Sequence, residues 1–161
     1  MRGMKMVIRE ATPEDVGQMS AFLQELTASG KRTRPDDEVF VLENYISDQD
    51  KISCSVAKSD GEVLGFQSLK IAKNGNEWDV EPGWGIIGTH IKPSAARRGV
   101  GRALFDVTRK AAGKADLLHI DASISASNSE ALAYYEAMGF RTYRTPDGKI
   151  CKCFVVDVNH R

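Results

Sequence analysis

The chain is poor in cysteine, proline and aromatic residues, and it has no excess of either charge. Three cysteines, Cys54, Cys151 and Cys153, stand in 161 residues. So small and odd a number excludes a disulfide-framed scaffold and fits reduced thiols in a cytoplasmic protein. Cys151 and Cys153 lie two apart in an apparent strand and share a face, but lack the His partners of a metal site, so no metal is expected. Twenty-two basic side chains balance twenty-two acidic ones. Such a chain has no bulk attraction for nucleic acid or for an anionic membrane. No run approaches the ~20 apolar residues of a membrane span. The opening MRGMKMVIRE lacks the apolar centre of a signal peptide. Repeats, low-complexity tracts and composition breaks are missing too, and residues 1–161 read as one domain.

What is present is a globular pattern. Apolar residues make up 42% of the chain, enough for a core and too many for a disordered tail. Residues 5–11 alternate as a strand. Thr12, Pro13 and Asp15 then mark a helix start: cap, first-turn proline and box-closing acid. Val16, Met19, Phe22, Leu23 and Leu26 share one face of that helix. Lys31, Arg32 and Arg34 form a basic break that reads as a solvated loop. Asp36 reads as the cap of a second helix with Val39, Leu42, Tyr45 and Ile46 inward. Residues 52–58 and 63–72 pair as a hairpin about Asp60 and Gly61. Residues 74–83, with Trp78, read as a disordered tip or as the wall of a pocket.

The near-continuous apolar run 84–92 reads as a central strand. A helix over 102–112, a strand over 116–123, a helix over 128–138 and closing strands over 140–145 and 149–158 follow. The order βααβββαβαββ predicts a mixed α/β fold. Its sheet is mostly antiparallel, with helices on both faces and one parallel crossover within residues 84–138.

Two motifs carry chemistry. Residues 95–104 read AARRGVGRAL, a glycine turn opening directly onto a helix. Free backbone N–H groups and the positive helix end then meet at one point, which suits an anion and phosphate above all. Gly99 and Gly101 let the backbone approach a ligand closely. No Gly-Lys-Ser/Thr run follows, which disfavours a triphosphate loop and a nucleotide-binding regulator, and a third glycine is missing for the dinucleotide fingerprint. Residues 128–140 read NSEALAYYEAMGF. Ser127 and Glu130 stand in capping-box relation, Ala131, Leu132, Tyr135 and Met138 follow at helical spacing, and Gly139 stops the helix.

Together the motifs resemble those of the GNAT superfamily of N-acetyltransferases. The family's loop runs Gln/Arg-x-x-Gly-x-Gly/Ala, and its later helix runs N-x-x-A-x-x-x-Y-x-x-x-G-F. Asn128, Ala131, Tyr135, Gly139 and Phe140 match the second pattern at every fixed position. The first fits in two frames. One sets Gly99 and Gly101 as the glycines with Ala96 in the Gln/Arg place; the other starts at Arg98. The first is preferred because it keeps Ile91, Lys92 and Pro93 at the family's strand end.

The resemblance implies acetyl-CoA as acyl donor, a small-molecule or peptide amine as acceptor, and direct transfer in a ternary complex. It implies that Arg97, Arg98, Gly99, Val100, Gly101 and Arg102 cradle the phosphates. Ile91, Lys92, Pro93 and Asn128 would hold the pantetheine arm, Tyr134 would pack on it, and Tyr135 would protonate the leaving thiolate. A backbone N–H of the 84–92 strand would serve the oxyanion. A homodimer is the family's frequent assembly. Midway along that strand, where the family often has Glu or His, stand Gly85, Ile86 and Ile87. The base is therefore left among His90, Asp79, Glu81 and water. The alternative is a catalytically silent acyl-CoA-binding sensor or interaction module. Trp78, Asp79 and Glu81 suggest an acceptor with an apolar body and a cationic head.

Overall fold

The computed structural model describes residues 5–156. One sheet holds seven strands: β1 (Val7–Glu10), β2 (Lys51–Ser59), β3 (Glu62–Ile71), β4 (Gly85–Ile91), β5 (His119–Ser125), β6 (Arg141–Arg144) and β7 (Lys149–Val155). Their order is β1-β2-β3-β4-β5-β7-β6, antiparallel throughout except for β4 beside β5. Helices α1 (Val16–Ala28) and α2 (Glu38–Val41) cover one face, and α3 (Val100–Lys114) and α4 (Ser129–Met138) the other. The expected fold class and the β4–α3–β5 crossover are both there.

Side-chain alternation divides the core. Met19, Phe22 and Leu23 of α1 meet Val56 and Phe66 on one face. Phe105, Tyr135 and Phe140 meet Leu69, Ile120 and Ala122 on the other. β4 lies between: His90 stands opposite Phe66 in register, and Ile87 opposite Leu69.

Several boundaries differ from expectation. The second helix is capped by Asp37, not Asp36, whose carbonyl instead accepts from Ser20 Oγ at 2.6 Å. It runs only to Val41 before widening into a π-turn over Leu42–Ile46. Helix α4 is capped by Asn128, which accepts from the Ala131 N–H at 3.1 Å, while Ser127 bonds Ser125. Two residues compete for one cap there, and the longer Asn side chain reaches the first turn. Arg32 is buried against the Pro35 carbonyl and the Tyr45 hydroxyl rather than solvated. The expected ends of the last strand, Asp157 and Val158, lie outside the described residues.

Candidate active site

β4 and β5 pair only at Gly85 with Ile120 and Ile86 with Asp121. β4 stays bonded to β3 up to Ile91, and β5 to β7 up to Ser125. Each central strand follows its outer neighbour, so the two part as a V. At the ends of this stretch the Trp84 carbonyl accepts from Ala72, and the Lys92 N–H donates to Leu64, both at 2.8 Å. Backbone groups alternate sides along a strand. The even-numbered residues therefore serve β3, the Ile87 N–H is spent on the last β4–β5 bridge at Asp121, and Thr89 and Ile91 turn their N–H and C=O groups into the V. Of the three residues expected at the strand end, Ile91 faces the V. Lys92 turns to Glu62 at 3.6 Å, and Pro93 opens a short 3₁₀ turn.

At the mouth of the V, Gly99 caps α3 with φ +82°, and Arg97 is also left-handed at φ +63°. The first-turn N–H groups of Val100, Gly101 and Arg102 have no carbonyl within the helix to bond. Arg97, Arg98 and Arg102 are exposed around them, while the Val100 side chain is buried against the sheet. Left-handed backbone leading into a free helix end, with three exposed arginines in the same segment, suits an anion of phosphate type.

The wall of the V carries a chain of hydroxyls whose polarity can be worked out. Tyr134 Oη donates to the Gly101 carbonyl at 2.7 Å, since a carbonyl only accepts. Tyr134 therefore receives from Gln67 Nε2 at 3.0 Å, and the second hydrogen of that amide goes to Thr89 Oγ1 at 2.9 Å. Thr89 Oγ1 lies 2.8 Å from Tyr135 Oη. With its acceptor role toward Gln67 met, Thr89 can donate to Tyr135 and leave the Tyr135 proton free. Burial pushes the Tyr134 hydroxyl up to about 12 and lifts Tyr135 higher still. Asn128 spends its side-chain oxygen on the helix cap.

A cavity of about 220 Å³ joins the V to the α1–α2 face of β4, reaching Tyr135, Thr89, Gly88, Trp78 and Arg34. His90 lines it but packs between Tyr45 and Phe66, with ring centroids 5.6 and 4.6 Å away. Desolvation, with Arg32 and Arg34 nearby, pushes its pKa down to about 3. It is a neutral, weakly basic imidazole at physiological pH. Asp79 is fully exposed and turns to Arg144 at 3.9 Å, and Glu81 is exposed as well. Neither lines the cavity. The 74–83 loop is ordered: Asn76 bonds Lys73, Trp78 and Val80, and Arg144 holds the Trp78 carbonyl at 2.8 Å.

The sequence pattern of the acetyltransferase (GNAT) family matches residues 19–140, three quarters of the chain and every element from α1 to α4. The chain belongs to this family. Its sequence relatives include the N-terminal acetyltransferase B complex catalytic subunit naa20 of Schizosaccharomyces pombe. That protein is 25% identical over 115 residues, covering 68% of this chain and 62% of the relative. The chain spans under two thirds of the length of the sequence relatives it matches. A GCN5-related N-acetyltransferase from Kribbella flavida shares the fold at TM-score 0.78 and 20% identity, over 93% of this chain and 97% of that one. So does yncA of Salmonella typhimurium, solved with its cofactor acetyl-CoA, at TM-score 0.76 and 17% identity over 94% of both chains.

Among the residues that the sequence motifs pick out, the structure brings Tyr134, Tyr135, Gly101 and Ile91 to the V. Gln67 and Thr89 belong to no motif. They are 22 residues apart on adjacent strands and meet only in the folded sheet. Arg34 likewise reads as loop until folding lays it beside Trp78, 5.2 Å from the ring.

Proposed function

We propose that the chain transfers an acetyl group from acetyl-CoA to a primary amine of a small molecule or protein, directly and in a ternary complex. Acetyl-CoA supplies the activated thioester. Arg97, Arg98, Gly99, Val100, Gly101 and Arg102 hold the phosphates, chiefly through backbone N–H groups. The pantetheine arm runs into the V along β4, between Ile91 and Asn128, with Tyr134 packed beside it. An N–H of β4 aimed into the V donates to the thioester oxygen as negative charge develops there. The amine nitrogen bonds to the acetyl carbon, the carbon–sulfur bond breaks, and Tyr135 gives its proton to the departing thiolate. The amine's proton leaves through water, since the described residues that line the cavity include no carboxylate. The proposed unit is one domain over residues 1–161, cytoplasmic, with a homodimer expected through the open edge of β6.

The observation that carries this reading is the hydroxyl of Tyr135 on the wall of the V, 2.8 Å from Thr89 Oγ1, which already accepts from Gln67 and can donate to it. Calorimetry with millimolar coenzyme A should give heat of binding, and thiol release should appear on addition of a true acceptor. Tyr135→Phe should lower turnover by about 10²–10⁴ while coenzyme affinity stays within about tenfold. Wild-type turnover in that variant, where chemistry limits the rate, would assign the proton to another donor. The missing carboxylate also favours a second reading, a silent acyl-CoA sensor. Coenzyme binding with no thiol release for any amine would establish it.

A further inference from the structure

We infer that the acceptor is a primary amine that itself carries an anionic group, a carboxylate or phosphate, held by Arg34 and Lys70 beside Trp78. The inference rests on the acetyl-transfer reading above. Among the described residues the cavity lining contains three cations, Arg34, Lys51 and Lys70, and no Asp or Glu. Two of them grip one indole: the Arg34 guanidinium lies 5.2 Å and Lys70 Nζ 4.7 Å from the Trp78 ring centroid. They arrive from different elements, the loop after α1 and strand β3, so the charge concentration is created by the fold.

Each of these cations has an acid behind it, outside the lining. Arg34 meets Glu77 and Lys70 meets Asp48, both at 3.3 Å. Such contacts are longer than the 2.7–2.9 Å of a tight charge-assisted bond, and Glu77 is 61% exposed. They steady the two side chains while leaving guanidinium and ammonium donors for a ligand. A cationic acceptor meets no carboxylate among the described lining residues, because Asp48 and Glu77 are already paired behind the cations and Asp79 and Glu81 lie outside the lining.

The same cations bear on the proton. A positive surround lowers the pKa of an amine held near it. It thereby favours the neutral nucleophile in a site where His90, the one imidazole among the described lining residues, is a weak base. An α-amino group, at pKa ~8 rather than the ~10.4 of a lysine, starts closest to neutrality. Trp78, Ile86 and Tyr45 offer an apolar wall for the carbon stem.

The test compares initial rates of thiol release by the full chain on matched acceptors: phosphoethanolamine against ethanolamine, and glutamate against its dimethyl ester. Peptides beginning Ala-Glu, Ala-Gln and Ala-Lys form a further arm. The anionic member should win in kcat/KM by about tenfold or more. Arg34→Gln or Lys70→Gln should erase that preference through the acceptor KM, not the acetyl-CoA KM. The free-acid and peptide arms distinguish a metabolite from a protein N-terminus. Equal or faster rates with neutral or cationic members would overturn the inference. If coenzyme A binds but no amine releases thiol, the acetyl-transfer reading fails. The inference is then judged by calorimetry: phosphoethanolamine should bind the wild-type chain more tightly than ethanolamine does, and Arg34→Gln should abolish the difference. Equal binding of the two would overturn it.

Discussion

Gly101 shows how one missing Cβ can serve two purposes. A Cβ built there would lie 2.6 Å from Tyr134 Cε1, inside any real contact. The side-chain position that a phosphate was expected to need is filled by the Tyr134 ring, so glycine lets α3 sit on α4 while its N–H remains at the helix end. Gly101→Val should therefore cost stability, by about 1–3 kcal/mol as overpacking does, besides any loss of coenzyme affinity. Thermal melts without ligand check this, and an unchanged midpoint would mean that Tyr134 swings aside freely. At Tyr135 the raised pKa has a kinetic sign. The hydroxyl stays protonated through the working range, so a descending alkaline limb in the wild-type rate should not report it. The Phe variant should lower the rate evenly across roughly pH 6–10.

Helix α1 depends on its entry. Asp15, almost wholly buried, takes Arg9 on both carboxylate oxygens at 2.8 Å and the Thr12 N–H at 2.8 Å. These contacts, Arg9 foremost, lower its pKa from 3.8 to about 2 against the opposing cost of burial. A depressed carboxylate stabilises the fold above its unfolded pKa and loses that contribution as pH falls through its folded one. Asp15→Asn should thus cost about 1–2 kcal/mol at neutral pH, discounted for the partly exposed Arg9. The gap to wild type should close between about pH 4 and pH 2. Urea denaturation at several pH values checks this, and a gap independent of pH would assign the cost to packing alone. For α4 the outcome of cap competition matters to the site. Asn128 on the cap is fixed at the edge of the V, with its amide nitrogen not used in the cap bond.

On the scale of the whole molecule, the V is a consequence of sheet order. β4 and β5 are central and parallel, yet each is tied over a longer stretch to an antiparallel neighbour. The N–H groups of Thr89, beside the Tyr135 hydroxyl, and of Ile91 are left at the middle of the sheet rather than at its edge. Saturating coenzyme A should slow hydrogen exchange at these amides and at Val100 and Gly101, with β1 and α1 unchanged. Slowing confined to any other region would move the coenzyme site there.

The chain's own order of residues determined the element sequence, the fold class, the glycine turn before α3 and the tyrosine pair on α4. All of these are written in local periodicity, caps and turns, where neighbours in sequence are neighbours in space. Cap positions a residue apart, as at Asp36 and Asp37 or Ser127 and Asn128, are degenerate at that level because several side chains qualify for one bond. Tertiary structure alone decided the rest. Gln67 and Thr89 became a hydrogen-bonded chain reaching Tyr135 because β3 and β4 pair in one register. Arg34 and Lys70 became a cationic clasp because a loop closes over Trp78. Asp79 and Glu81 left the site because Arg144 and solvent hold that side of the loop. Polarity of a hydrogen-bond chain and the sign of a cavity depend on which groups face one another, and that is set by sheet register and loop closure rather than by spacing along the chain.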